Sequence, residues 1–280
     1  MLEIKGIDHD VVELLPGMHP VQLRAAGFRG GTVPALKSDG RRVQGSLRIS
    51  RFLEQLEPDP PLFPGEPDRR AAVEEAEAWG EAKLQPIARR IFRWGTVHSR
   101  ELRRWLGEVS GIPLPGAAAT VNAPVARYFA RLSDANDDGV RADLATLPAT
   151  LDRVDGLITD ATIGGEVVNA ADCQIASTVR MLLAYEDLRR ILEDRPSAEL
   201  AARLFPDYPG PIPLRLPGPW LPGRLSPPST MARRVGGLEE VPHVHTQATP
   251  SCLACGRRSA RAPAPRRRLR DRLAHGAEHR

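Results

Sequence analysis

The stretch that decides the fold reads Thr32-Val33-Pro34-Ala35-Leu36-Lys37-Ser38-Asp39-Gly40 and continues to Leu56. Asp39-Gly40 predicts a tight hairpin turn, because glycine tolerates the positive φ that such turns need. A short strand through Val43 leads to Ser46, a residue type that is typical of a helix N-cap. Beyond it, apolar residues recur at helical spacing, at Ile49, Phe52, Leu53 and Leu56. The stretch therefore predicts a strand, a hairpin, a second strand and a capped helix.

Pro34 stands at the start of the first of these strands. Proline has no N–H to donate to a sheet ladder, so it is confined to strand edges, bends and turns. Two interpretations stay open from the residues alone: a trans proline on an edge strand, or a cis proline in a deliberate bend at a site.

Val33-Pro34-Ala35-Leu36 and Ser46-Leu47-Arg48-Ile49, separated by a hairpin, resemble the V-P-x-L and S-x-x-I signatures of the glutathione transferase N-terminal, thioredoxin-like domain. In that family the proline is cis, and the backbone of the residue before it pairs with the cysteinyl part of glutathione. The serine holds the γ-glutamyl carboxylate at a helix N-terminus, which is a natural anion site. The resemblance implies that Val33, Pro34, Gln44 and Ser46 bind the substrate glutathione. The family usually has an acidic residue or Gln where this chain has Gly45, a departure that concerns the ligand and not the fold.

The first fifteen residues resemble a later part of the same domain. Met1-Leu2-Glu3-Ile4-Lys5-Gly6 is similar to the end of the family's first helix, and 9–15 is predicted to be its second strand. On that alignment the first strand and most of the first helix are absent, and with them the Tyr, Ser or Cys that activates the thiol. We therefore expect an incomplete thioredoxin-like domain in which the catalytic residue is unknown. His19 lies in a Pro-rich turn and is predicted to be a solvated loop residue.

Consecutive prolines after Asp59 predict an inter-domain linker. From there to about Phe205 the apolar periodicity is helical, and Pro86 is predicted to bend a helix running from Ala71 to Trp94. Bent helices at this place line the variable substrate pocket of the resembled family, which makes pocket candidates of Trp79, Arg89, Arg93 and Trp94. The Gly-, Pro- and Ala-rich segment 99–119 gives no firm prediction.

Asn169-Ala170-Ala171-Asp172 precedes an apolar periodic run and has the pattern of a capping box. It resembles the N-capping box of the central helix in the transferase C-terminal domain. We assign Asp172 to folding and not to chemistry.

Composition places the chain among ordinary globular proteins: 41% of its 280 residues are hydrophobic and 26% are charged. Residues 222–280 contain twelve arginines and four acidic residues, so within the total of +4 the preceding 221 residues carry −4. A basic charge that could bind nucleic acid is therefore confined to the tail. The absence of long apolar runs and the three cysteines favour a cytoplasmic protein without a membrane segment.

The predicted fold class is an α+β/all-α pair of domains: an incomplete thioredoxin-like α/β domain and a glutathione transferase-type helical bundle. The predicted boundaries are 1–57 for the first domain, 58–66 for the linker, 67–221 for the helical domain and 222–280 for a disordered Arg/Pro-rich tail. In the tail, Cys252, Cys255, His243 and His245 have the ligand types of a zinc set but lack its usual helix, and no metal is assigned.

The predicted function is that of a glutathione transferase, which conjugates the glutathione thiol to a small electrophile, impaired here by loss of the catalytic segment. The resemblance also implies a homodimer. Two alternatives remain open: a non-catalytic binding or stabilising module on the same fold, and a basic-tail protein whose folded body is a carrier.

Overall fold

The structure is a computed structural model that describes residues 1–222. These residues lie in one compact unit. The N-terminal part holds a short helix, a hairpin and a longer helix: α1 His19–Ala25, β1 Ala35–Ser38, β2 Arg41–Gln44 and α2 Ser46–Leu56. The helical part that follows consists of α3 Pro67–Trp79, α4 Gln85–His98, α5 Arg100–Val109, α6 Pro115–Val121, α7 Ala123–Arg131, α8 Asp137–Thr159, α9 Ala170–Leu183, α10 Glu186–Leu192 and α11 Pro196–Leu204.

The predicted hairpin and helix are confirmed. β1 and β2 pair antiparallel with Ala35 opposite Gln44 and Ser38 opposite Arg41. Asp39 and Gly40 form the turn with φ of 46° and 79°, the positive values that a tight hairpin turn requires. One face of α2 is buried through Ile49 and Leu53, as the apolar periodicity predicted.

The predicted end of a helix at Gly6 is also confirmed. The N–H of Ile7 donates to the carbonyl of Leu2 at 3.0 Å, and the N–H of Gly6 donates to that of Glu3 at 3.0 Å. Gly6 has a φ of 61°, so this is a Schellman cap closing one helical turn.

The predicted strand at 9–15 is wrong. Within the described residues β1 and β2 form the only sheet, and 9–15 is irregular. Val11 and Val12 are 74% and 77% exposed. A strand exists only where a neighbour satisfies its backbone groups, and neither β1 nor β2 pairs with this segment.

The helix expected between Ala71 and Trp94 is divided. α3 ends at Trp79, a π-helical turn spans Gly80–Leu84, and α4 begins at Gln85 with Pro86 in its first turn. The wider turn removes the need for the hydrogen bond that proline cannot donate. Gly80 lets α9 approach closely, because a Cβ there would lie 2.9 Å from the Cγ1 of Ile175.

The centre of the helical part is α9, which packs against α3, α4, α10 and α11. The capping box predicted at its start is present: the side chain of Asn169 accepts from the N–H of Asp172 and the reverse bond also forms. After α11 the chain lies back on the bundle as predicted. There Ile212 donates to the carbonyl of Ala184 at 2.8 Å, and the Trp220 ring lies 5.4 Å from that of Trp94.

The tail predictions, including Cys252, Cys255, His243 and His245, lie outside the described residues. The domain boundaries stay predictions.

Candidate functional site

The loop before β1 presents free backbone groups. The Val33–Pro34 peptide is cis, which decides between the two interpretations of Pro34. Among the described residues no backbone group hydrogen-bonds to the N–H or carbonyl of Val33, whereas the next carbonyl, of Pro34, accepts from Gly45 at 3.0 Å. The Val33 side chain is 57% exposed. Val33 therefore offers one backbone donor and one acceptor to an extended ligand.

Gln44 holds this loop in place. Its Oε1 accepts from the N–H of Gly30 at 3.0 Å and its Nε2 donates to the carbonyl of Thr32 at 2.6 Å. Gly30 and Gly31 allow close packing here, since a Cβ on Gly31 would lie 3.0 Å from the Cβ of Pro20. The amide of Gln44 thus positions the loop that leads into Val33. Sequence reasoning missed this role because the partners are fourteen and twelve residues away.

The start of α2 differs from the prediction in one respect. Gly45, not Ser46, is the N-cap, and Ser46 is the first helical residue without a capping bond. Gly45 has φ 92° and ψ 140°, a backbone conformation that residues with a Cβ rarely adopt. This geometry gives a physical reason for glycine where the resembled family has a larger residue.

The N–H groups of Ser46, Leu47 and Arg48 precede the first helical hydrogen bond, which Ile49 makes to Gly45 at 3.0 Å. No acidic residue occupies the first turn of α2. These free donors and the positive end of the helix dipole favour an anionic group beside the half-buried Ser46.

A cavity of about 340 Å³ has Val33 among its lining residues. The segment 16–19 and helices α4 to α7 also line it. Its aromatic and aliphatic walls include Phe92, Leu106, Ile112, Val125 and Phe129. Such an apolar enclosure with few polar groups suits a small organic ligand.

The charged groups of the cavity are all basic. Arg93 donates to the hydroxyl of Ser133 and to the carbonyl of Phe129 at 3.3 Å. Arg103 donates to the carbonyls of Thr96 at 2.6 Å and Ala119 at 2.7 Å. Burial lowers the pKa of both guanidinium groups below the usual value of arginine, and neighbouring arginines lower it further. Because no carboxylate lines the cavity among the described residues, its potential is positive.

His19 also lines the cavity, contrary to the predicted solvated role. Its ring stacks on Phe129 with centroids 5.2 Å apart and an interplanar angle of 24°. Burial lowers the pKa of His19 below its usual 6.5, and the charge of Arg93 lowers it further. The sequence around His19 contains no signal for this position, because the cavity walls include α5 and α6. Those helices lie mainly in segment 99–119, whose sequence supports no firm prediction.

Only one of the four pocket candidates predicted on the helical part lines this cavity. Arg93 lines the cavity, and the other three do not. Arg153 covers the Trp79 ring at 4.9 Å, Arg89 donates to Gln85, and Trp94 is buried and donates to Asp137 at 2.8 Å. In the structure these three side chains pack or lie at the surface outside this cavity.

Comparison with known families confirms the predicted relation for the N-terminal part. Residues 1–61, which contain the cis-proline loop, the hairpin and α2, match the family of the glutathione S-transferase N-terminal domain. The chain therefore carries such a domain, followed by a mostly helical region.

Two curated relatives are maleylacetoacetate isomerases. The mouse enzyme is 33% identical over 97 residues, which cover 31% of this chain and 42% of the relative, and the rat enzyme is 33% identical over 90 residues with the same coverage. The chain thus spans less than half the length of the curated relatives that it matches. No solved structure shows significant similarity to it.

No helix within the described residues, 1–222, has the length and apolar character needed to cross a bilayer. Nor does that part of the chain bring together three or more His, Cys, Asp or Glu side chains suited to a metal ion.

Proposed function

We propose that this chain is a glutathione-dependent transferase-fold protein that binds glutathione along Val33 and the start of α2. The observation that carries the proposal is the free backbone of Val33 beside the cis Pro34. An extended cysteinyl group would pair with it, as a peptide pairs with an open strand edge. The γ-glutamyl carboxylate would then lie at Ser46 and the free N–H groups of α2.

The cavity beyond Val33 is proposed to receive the electrophile. A thiol paired with Val33 would lie at the cavity wall, where attack on an enclosed electrophile needs little movement. The apolar walls favour a small organic molecule, and Arg93 and Arg103 favour one that carries or develops negative charge. The reaction proposed is attack of the sulfur on that electrophile. A homodimer and a cytoplasmic location complete the proposal, both from the family relation.

The second candidate is a non-catalytic binding module on the same fold. The observation favouring it is that no Tyr, Ser or Cys among the described residues lines the cavity. The two candidates share glutathione binding and differ in turnover.

Binding is tested by titrating the chain with glutathione in a calorimeter. Ser46→Ala is expected to weaken binding by about 10-fold or more, the effect of losing a hydrogen bond to a charged group. Since Ser46 is not the N-cap, its removal should change the free energy of unfolding by less than about 0.5 kcal/mol. Ser38→Ala, at the far end of the hairpin, is the matched control and should bind normally. Equal affinity in Ser46→Ala and Ser38→Ala would remove Ser46 from the site.

Turnover is tested with glutathione and chlorodinitrobenzene. The thiol displaces chloride from the aromatic ring, and the product is a coloured thioether. Thioether formation above the uncatalysed rate supports the transferase. Binding without it supports the module.

A further inference from the structure

The imidazole of His19 is held in the cavity without using its nitrogens. The ring is fixed by its stack on Phe129, at 5.2 Å between centroids. None of the described residues hydrogen-bonds to Nδ1 or Nε2. Both nitrogens therefore remain available to a molecule in the cavity.

The position of His19 relative to Val33 is fixed by packing. Pro20, the next residue, lies against Gly31 so closely that a Cβ there would be 3.0 Å away. Gln44 ties the following carbonyl, of Thr32, to β2 at 2.6 Å. The first turn of α1 and the cis-proline loop are thus one packed unit, and His19 and Val33 line the same cavity.

The other charged groups facing the cavity are Arg93 from α4 and Arg103 from α5. The lining residues of α6 and α7 include no titratable group. Burial and the charge of Arg93 hold the pKa of His19 below 6.5, so the imidazole is neutral at pH 7. A neutral imidazole is the form that accepts a proton, and Arg93 also stabilises negative charge developing on a sulfur nearby.

We propose that His19 is the catalytic base that accepts the thiol proton of glutathione during attack on the electrophile. This inference rests on the proposed function. An imidazole nitrogen takes the S–H proton while the sulfur forms a bond to the carbon of the electrophile. With chlorodinitrobenzene the C–Cl bond breaks, chloride leaves with the bonding electrons, and the imidazolium later releases its proton to water. Among the described lining residues, His19 alone is a neutral group with a basic lone pair.

The test measures kcat/KM of the full chain against pH, with saturating chlorodinitrobenzene and varied glutathione. The wild-type profile should fall on its acid side at a pH below 6.5, as His19 becomes protonated. His19→Gln should lower kcat/KM by about 10²- to 10⁴-fold and remove that acid limb. In His19→Ala, added imidazole should restore part of the activity. His9→Gln is the matched control, because His9 is exposed, lies outside the cavity lining and hydrogen-bonds to the carbonyl of Ile7 at 3.0 Å.

Calorimetric glutathione binding is measured on each variant. A wild type that fails to bind glutathione overturns the proposed function together with this inference. Binding without turnover overturns the proposed reaction and this inference with it, whereas His19→Gln with the wild-type rate and acid limb overturns the inference alone. If a His19 variant fails to fold, the wild-type profile decides, and the absence of an acid limb below 6.5 contradicts the role of His19.

Discussion

Removing the Asp172 carboxylate should be costly for this fold. It is only 1% exposed, and each of its oxygens accepts a backbone hydrogen bond. Oδ1 accepts from Gly164 at 2.6 Å, and Oδ2 accepts from Asn169 at 2.9 Å. The first bond ties the loop after α8 to the start of α9, so Asp172 does more than cap its own helix.

The magnitude follows from the two donors that Asp172→Ala would leave. A buried donor without a partner costs about 1–3 kcal/mol. The N–H of Asn169 is buried, so losing its acceptor should cost the full free energy of an unpaired buried donor. The Gly164 loop is half-buried, so its N–H can turn toward water and should cost less. We therefore expect a loss of about 2–4 kcal/mol in the free energy of unfolding, above the 0.5–2 kcal/mol of an ordinary cap.

Urea unfolding followed by circular dichroism measures this loss. Asp138→Ala is the control, since Asp138 also lies in the first turn of a helix but its side chain is 94% exposed. That control should change stability by less than about 0.5 kcal/mol. Asp172→Asn retains one acceptor oxygen and should lose about half as much as Asp172→Ala. If Asp172→Ala and Asp138→Ala are equally stable, the reasoning about the buried bonds is refuted.

Four further substitutions test packing, charge and backbone strain, all by urea unfolding. Gly95→Ala places a Cβ 2.5 Å from Leu214 and should lower the free energy of unfolding by about 1–3 kcal/mol. In the control Gly156→Ala the new Cβ meets nothing within 4 Å, and the substitution should raise that free energy by about 0.5–1 kcal/mol. Equal effects of the two substitutions would contradict the packing argument. Burial raises the pKa of Glu77 above 4.5, so the native state binds the Glu77 proton more tightly than the unfolded state does. The stability of wild type relative to Glu77→Gln should therefore fall as pH rises above 4.5. A stability difference that does not change with pH would refute this assignment. Gly45→Ala should cost about 1–3 kcal/mol through its positive φ alone, since its Cβ meets no neighbour; an unchanged midpoint would show that the loop adapts.

The features that could be predicted from sequence are those that depend on neighbouring residues. The hairpin at Asp39-Gly40 and the capping box at Asn169 need only a few consecutive residues, and both were predicted. The strand at 9–15 failed because strands depend on a partner elsewhere in the chain. The N-cap was predicted at Ser46 but lies one residue earlier, at Gly45. The backbone conformation there is one that glycine adopts readily and other residues rarely do.

The cavity could not be predicted, because its walls come from separate elements that converge only in the folded chain. Segment 99–119 supplies two of its helices, yet its Gly-, Pro- and Ala-rich sequence has little periodicity to interpret. His19 reaches the cavity because α1 packs against Gly31, twelve residues later in the chain, and no sequence motif surrounds His19. Val33 is the exception, since the family resemblance identified it and no described residue pairs with its backbone.

The π-helical turn at Gly80–Leu84 has a consequence for comparing this chain with its relatives. A π turn holds about one residue more than the α-helical turn that it replaces, and each residue of an α-helix advances by roughly 100° around the axis. Removing that residue would rotate Phe92 and Arg93 away from the cavity while α3 kept its contacts with α9. An alignment with a relative whose helix is regular there would accordingly need a single-residue gap within Gly80–Leu84. A gap placed elsewhere would equate side chains that face different directions.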